Sequence, residues 1–259
     1  MSQRNTHNIV GLDDLIEDLF GMNVRSFKTI WVLFSSPRQY FIAAKTPAWM
    51  DKYTPSTRLW LGLMAILIAL QFFWASPDAA IMDNLSTTLS AVFANAAINV
   101  GSTADFAAFD MAGELQKAMK LNYLIYPFVF IFAFSVFAWL YRAWGEALSF
   151  TVRLRYVFAV IVPASVIGLF TTLMTPFISA TQLNLFSVIQ TVVILGLYFL
   201  TGFRGAYGDM DNGEAFGRSI VLAVGIFITL TIAQLISYGL SFGISLFPAA
   251  GDFIQSGLP

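Results

Sequence analysis

Cysteine is absent from the chain, and histidine occurs once, at His7. Disulfides, thiol catalysis, iron–sulfur clusters and cysteine zinc sites are therefore excluded. A histidine metal site, or a Ser-His-Asp triad with its base in the body of the chain, is excluded as well. Charge is also scarce. Asp, Glu, Lys and Arg together make 11% of the 259 residues, where a soluble domain carries about 25%. So little charge does not cover a water-facing surface of this size. The net charge of −1 argues against a nucleic-acid partner, which needs a concentrated basic face. No cofactor is expected. The first residues lack a short apolar stretch with a small-residue cleavage site, so no cleaved signal peptide is expected.

What is abundant is apolar: 58% hydrophobic residues, 26 phenylalanines and a mean hydropathy of +0.72. The bilayer is the expected main solvent, and charge-free gaps locate the spans. These gaps predict five helices, at about 59–76, 121–141, 156–178, 185–203 and 219–240. The uncharged stretch Tyr156–Phe203 divides into two spans at a turn marked by Pro176, Ser179, Thr181, Gln182 and Asn184. Runs such as Phe128–Phe134 are apolar on every side, which suits helices and not the alternating strands of a barrel. The expected fold is an all-α, polytopic membrane helix bundle. Residues 1–57 form a cytoplasmic interfacial segment, and 58–259 form the bundle with an external helical loop at 77–120. A sixth span is possible if an N-terminal segment inserts.

Basic residues set the orientation. Of the 14 lysines and arginines, twelve precede the first span or lie in the second-to-third and fourth-to-fifth connections. Only Lys117 and Lys120 fall on the other side. The positive-inside rule then places the N-terminus in the cytoplasm and the C-terminus outside.

Two regions outside the spans have helical signals. Asp13, Asp14, Glu17 and Asp18 interleave with apolar residues as a short amphipathic helix. From Val24, the positions Phe27, Ile30, Trp31 and Phe34 follow helical spacing, and Pro37 stops the run. A second segment covers Gln39–Ala44. Such faces with basic flanks lie in the headgroup plane, as anchors or as a collar that docks a partner. In the outer loop, Ser76-Pro77-Asp78 is a helix start, Gly101-Ser102-Thr103 a break, and a second helix is expected from about Ala104, carrying Phe106, Phe109 and Leu115.

Candidate chemistry is thin. Arg142 and Glu146 are four apart and are expected to share a helix face and pair, near Arg153 and Arg155. The acids from Asp209 to Glu214 superficially resemble a calcium loop, but the glycine register is wrong, and a flexible connector is expected. No span contains a charged residue, which weighs against ion or proton coupling. Gln190 and the stripe Gln234, Ser237, Ser241 and Ser245, beside Gly239-x-x-x-Gly243, read as packing glue within the chain or between copies. The competing use is a polar pathway. Pro127 and Pro163 sit inside spans and can kink them.

Two stretches carry a resemblance. Phe27–Ala75 contains Tyr53-x-Pro55-x-x-Arg58-Leu59 running into the first span, and Tyr141–Phe150 reads Tyr-Arg-Ala-Trp-Gly-Glu-Ala-Leu-Ser-Phe. This resembles an uncharacterised family of bacterial inner-membrane proteins, and more loosely the Yip family of five-helix trafficking proteins. The cysteine zinc ribbon carried by many relatives is absent, so its role does not transfer. The resemblance implies a multi-pass inner-membrane protein, with Tyr53, Pro55, Arg58, Glu146 and Phe150 at its motif positions. The expected function is a non-catalytic scaffold, assembly or organising subunit. Its partners would be the lipid bilayer and a membrane protein or second copy. The alternative is a channel or permease component for a small neutral solute.

Overall fold

A computed structural model describes residues 23–47, 49–73, 79–100, 102 and 108–258. The acidic segment at 13–20, the cap at 76–78 and Phe106 lie outside these residues. Regular structure among the described residues is entirely helical. In chain order the helices are α1 (Val24–Ser35), α2 (Pro37–Ala44), α3 (Trp49–Lys52), α4 (Ser56–Phe73) and α5 (Ala79–Asn99). They continue with α6 (Met111–Leu140), α7 (Phe150–Met174), α8 (Ala180–Thr201), α9 (Asn212–Ile244) and α10 (Leu246–Ser256). Four stretches, within α6, α7, α8 and α9–α10, are long and apolar enough to cross a membrane, and α4 contributes the shorter apolar helix Ser56–Gln71.

Local chemistry explains the boundaries. Asp110 opens α6, its carboxylate accepting from the Gly113 N–H at 3.0 Å. Asp211 does the same for α9, accepting from Gly213 N–H at 3.2 Å. These caps lie beyond the apolar cores, so both helices start before the expected spans. Among the described residues the helix that carries Leu115 begins at Met111, with Phe109 before it, and Ala104 lies outside the described residues. Thr181, Gln182 and Asn184 fall on the first turns of α8, after a 3₁₀ turn at Thr175–Phe177 containing Pro176. Arg153 and Arg155 lie on the first turns of α7 and not in its preceding connection. Pro127 and Pro163 lie within continuous helices. At the other end, α9 stops at Ile244, and α10, which contains Pro248, begins at Leu246.

The chain divides into two compact units. One comprises the described residues of Met1–Leu67, Tyr141–Phe170 and Val193–Ala223. Its centre is the stretch Tyr156–Ala164 of α7, buried on all sides, with Trp60 of α4 against Phe158 at 5.3 Å. The other comprises Ile68–Leu140, Thr171–Val192 and Val224–Pro259. There α5 packs on α6, and Met111, Leu115 and Ala118 bury against Leu246 of α10, flanked by Leu89 and Phe93. Ser102 donates to the Ile254 carbonyl at 2.6 Å. Helices α5 and α6 thus pack as a pair, with α10 as a third element against them. On α6, Leu124, Phe128, Phe132, Val136 and Leu140 are exposed at fourth-residue spacing, while Phe130, Phe134 and Ala138 are buried. A helix apolar on both faces belongs in a lipid environment.

Candidate functional site

The first unit contains a collar of α1–α3 docked on the ends of longer helices. Asn23 and Ser26 form a reciprocal capping box that starts α1. The helix then docks through Ser26, Thr29, Val32 and Leu33. Ser26 and Thr29 are fully buried; Ser26 Oγ lies 3.2 Å from Thr54 Oγ1, and Thr29 Oγ1 accepts from the Thr54 N–H at 3.0 Å. Val24, Phe27 and Trp31 face outward, with Trp31 71% exposed; Ile30 and Phe34 are half-buried. The inward face of α1 is mixed, with Val32 and Leu33 buried beside the two hydroxyls, and the outward face joins Val24, Phe27 and Trp31 to Arg25 and Lys28.

Helix α2 is held by its C-terminus. The last four carbonyls of a helix lack intrahelical partners, and here each finds one. Phe41 O accepts from Tyr156 Oη–H at 2.9 Å, and Ile42 O from Lys45 N–H at 3.3 Å. Ala43 O accepts from Thr46 Oγ1–H at 2.8 Å, and Ala44 O from the Arg155 guanidinium at 2.8 Å. The Arg155 charge also complements the negative end of the helix dipole. Its plane lies over the Trp49 ring at 4.5 Å, and its own carbonyl accepts from Ser56 Oγ at 2.8 Å. Lysine would supply the charge but not the planar contact.

Aromatic rings fill the space between. Tyr53, at the expected entry motif, is buried against Tyr40 at 5.4 Å. Phe41 meets Tyr156 edge-on at 4.6 Å, Tyr156 meets Trp144 at 5.4 Å, and Trp144 lies over Tyr207. Tyr141 and Tyr207 share a hydroxyl contact of 2.7 Å. Burial pushes the Tyr40 and Tyr207 phenols above the usual tyrosine range, so both stay neutral, and Tyr207 bonds to Tyr141. Interfacial enrichment of Trp and Tyr was the available sequence signal for Tyr40, Trp144, Tyr156 and Tyr207. Their mutual contacts are tertiary and carry no local pattern.

The connection after α6 corrects the expected Arg142–Glu146 helix pair. Helix α6 ends at Leu140, and residues 141–149 are not helical. Gly145 takes φ +85°, a conformation suited to glycine, with Met210 packed where a side chain would stand. The turn separates the two residues, and Glu146 pairs with Lys45. The loop from Arg204 to Arg218 is also more ordered than a flexible connector. Asp209 pairs with Arg38, Asp211 caps α9, and Glu214 pairs with Arg218. Gly205 abuts the Phe41 ring, which a Cβ would approach to 2.6 Å. Among the described residues no cluster of three or more metal-ligating side chains occurs.

The sequence-predicted motif residues therefore assemble unevenly. Tyr53, Glu146 and Arg155 join the collar directly, Arg153 is buried nearby on α7, Pro55 is half-buried, and Arg58 and Arg142 are exposed. A cavity of about 590 Å³ is lined by Arg142, Trp144, Glu146, Leu148, Arg153 and Arg218.

In the second unit the polar residues bond to one another. Gln190 Nε2 donates to Thr171 Oγ1 at 2.8 Å. Ser237 Oγ donates to Asn122 Oδ1 at 2.6 Å with both residues buried, and Ser241 donates to the Ser237 carbonyl at 2.8 Å. Gln234 is half-buried. Gly239 and Gly243 are exposed, and a Cβ on either would meet nothing within 4 Å. These glycines do not serve close packing within the chain. Compared with family models, with curated proteins and with solved structures, the chain matches none.

Proposed function

We propose that this chain is a non-catalytic, multi-pass protein of the bacterial inner membrane that organises protein or lipid partners at the membrane surface. In this reading α4 is the first of five spans, the collar lies on the cytoplasmic side with the N-terminus, and α10 lies outside. The assignment agrees with the twelve-to-two division of basic residues and with the resemblance carried by Tyr53–Leu59 and Tyr141–Phe150.

The observation that carries the reading is the apolar and basic outward face of α1. Its hydroxyl face is consumed by the Thr54 segment, and Val24, Phe27 and Trp31 are presented outward beside Arg25 and Lys28. That surface suits the headgroup plane. The helix below it is fixed at every terminal carbonyl, so the collar is a rigid platform and not a tether. Partner contact along the bilayer would use the open Gly239/Gly243 face of α9, where small residues permit close approach. The polar side chains that a solute path would use are paired in Gln190–Thr171 and Ser237–Asn122, which favours packing.

The test is copurification of the full chain in mild detergent with crosslinking. A fixed-stoichiometry complex, with a second copy or a membrane protein, supports the reading. A lone monomer under all extraction conditions, together with solute flux in liposomes that Gln190→Leu abolishes, would replace it with the permease alternative.

A further inference from the structure

The cavity beside Trp144 has a composition that the organising role does not require. Its wall carries Arg142 from the connection after α6, Arg153 from the first turn of α7 and Arg218 from the second turn of α9. Each lies at an end of a helix long and apolar enough to span a membrane. Four cations, Lys45, Arg142, Arg153 and Arg218, face two acids, Glu146 and Glu214. Glu146 is engaged by Lys45, and Glu214 by Arg218, whose guanidinium also donates to the Ala143 carbonyl at 3.2 Å. Arg142 is exposed and makes no hydrogen bond or ion pair among the described residues. The second, independent observation is Trp144. It is 2% exposed on the cavity wall, and its indole N–H has no hydrogen-bond acceptor among the described residues. A buried donor without an acceptor is costly. At about 590 Å³ the cavity is of ligand size, and at roughly 30 Å³ per water it holds on the order of twenty waters.

We propose that this cavity binds a phosphate group. Guanidinium groups recognise phosphate oxygens by charge-assisted, often bidentate hydrogen bonds. Leu148 supplies an apolar wall. Two sources share this chemistry: the phosphodiester of an anionic lipid and a soluble phosphate. Basic pockets between spanning helices suit the first.

The test uses the full-length purified chain in zwitterionic detergent, titrated with phosphatidylglycerol or phosphatidylcholine and read by native mass spectrometry. Inorganic phosphate is the competitor. Arg142→Gln removes the exposed, otherwise unbonded cation and leaves the packed rings in place. It is expected to weaken phosphatidylglycerol binding on the order of tenfold, with partial recovery in Arg142→Lys. Lys52→Gln, an equal charge loss elsewhere on the collar, is expected to change it less than twofold. Retention of phosphatidylglycerol against millimolar phosphate identifies a lipid headgroup site. Displacement by phosphate, with the same Arg142 dependence, identifies a site for the free anion. Equal binding of the two lipids together with no phosphate binding, or equal effects of Arg142→Gln and Lys52→Gln, overturns the proposal.

Discussion

Removing one hydroxyl should loosen the whole collar. Tyr156→Phe keeps the ring contacts with Phe41 and Trp144 and deletes only the donor to the Phe41 carbonyl. That carbonyl belongs to the last turn of α2, where no later helical N–H replaces the donor. A buried acceptor left unsatisfied costs about 1–3 kcal/mol. A value of about 2 kcal/mol raises the population of an opened collar roughly thirtyfold. Arg155→Gln should cost a similar amount, because it removes a charge-assisted bond to Ala44 and the contact over Trp49. Arg155→Lys should cost less than Arg155→Gln, since the charge near the helix end remains. The assay is limited trypsin digestion of the detergent-purified full chain, following cleavage after Lys45 and Lys52 against Lys117. Selective acceleration at the first two sites is expected in Tyr156→Phe. Unchanged cleavage there in both Tyr156→Phe and Arg155→Gln would refute the capping account. Equal acceleration at Lys117 would show global loosening instead.

Three further outcomes follow from the packing. Gly205→Ala places a methyl against the Phe41 ring and should destabilise the protein by about 1–3 kcal/mol, read as a lower melting temperature in detergent. Ser237→Ala removes the buried bond to Asn122 and should cost about 0.6–1.7 kcal/mol, read in the same way, while Gly239→Ala should leave the monomer unaffected. Stability should be flat up to about pH 10 and decline above it. The unfolded chain loses tyrosine protons there, while Tyr40 and Tyr207, raised by burial, keep theirs in the folded state. Absorbance titration of Tyr207→Phe should lose a late-ionising phenol, and loss of an early one would contradict the burial.

Four helices long and apolar enough to cross a membrane were legible because charge is costly in a bilayer. Arg58, Arg142 and Asp78 bound apolar runs, so their spacing alone marks where helices fit. Helix ends were less legible. Asp110 and Asp211 cap α6 and α9 outside those runs, and Thr181 to Asn184, read as a turn, continue as α8. The collar was legible as elements and not as an assembly. The α1 spacing was correct, but its docking through Ser26 and Thr29 depends on Thr54, which no local pattern connects to it. The Arg142–Glu146 pairing failed because i,i+4 reasoning presumes a helix, and Gly145 turns the chain out of one. Glu146 instead meets Lys45, far away in sequence.

We propose that the collar and the open face of α9 serve association. This is tested most directly by extracting the full chain into lipid nanodiscs without detergent exchange and measuring the mass of the intact particle. A defined assembly is expected, a second copy or one membrane protein at fixed stoichiometry, that dissociates when Gly239 and Gly243 are both replaced by Leu. A single chain in every particle, unaffected by those replacements, would contradict it.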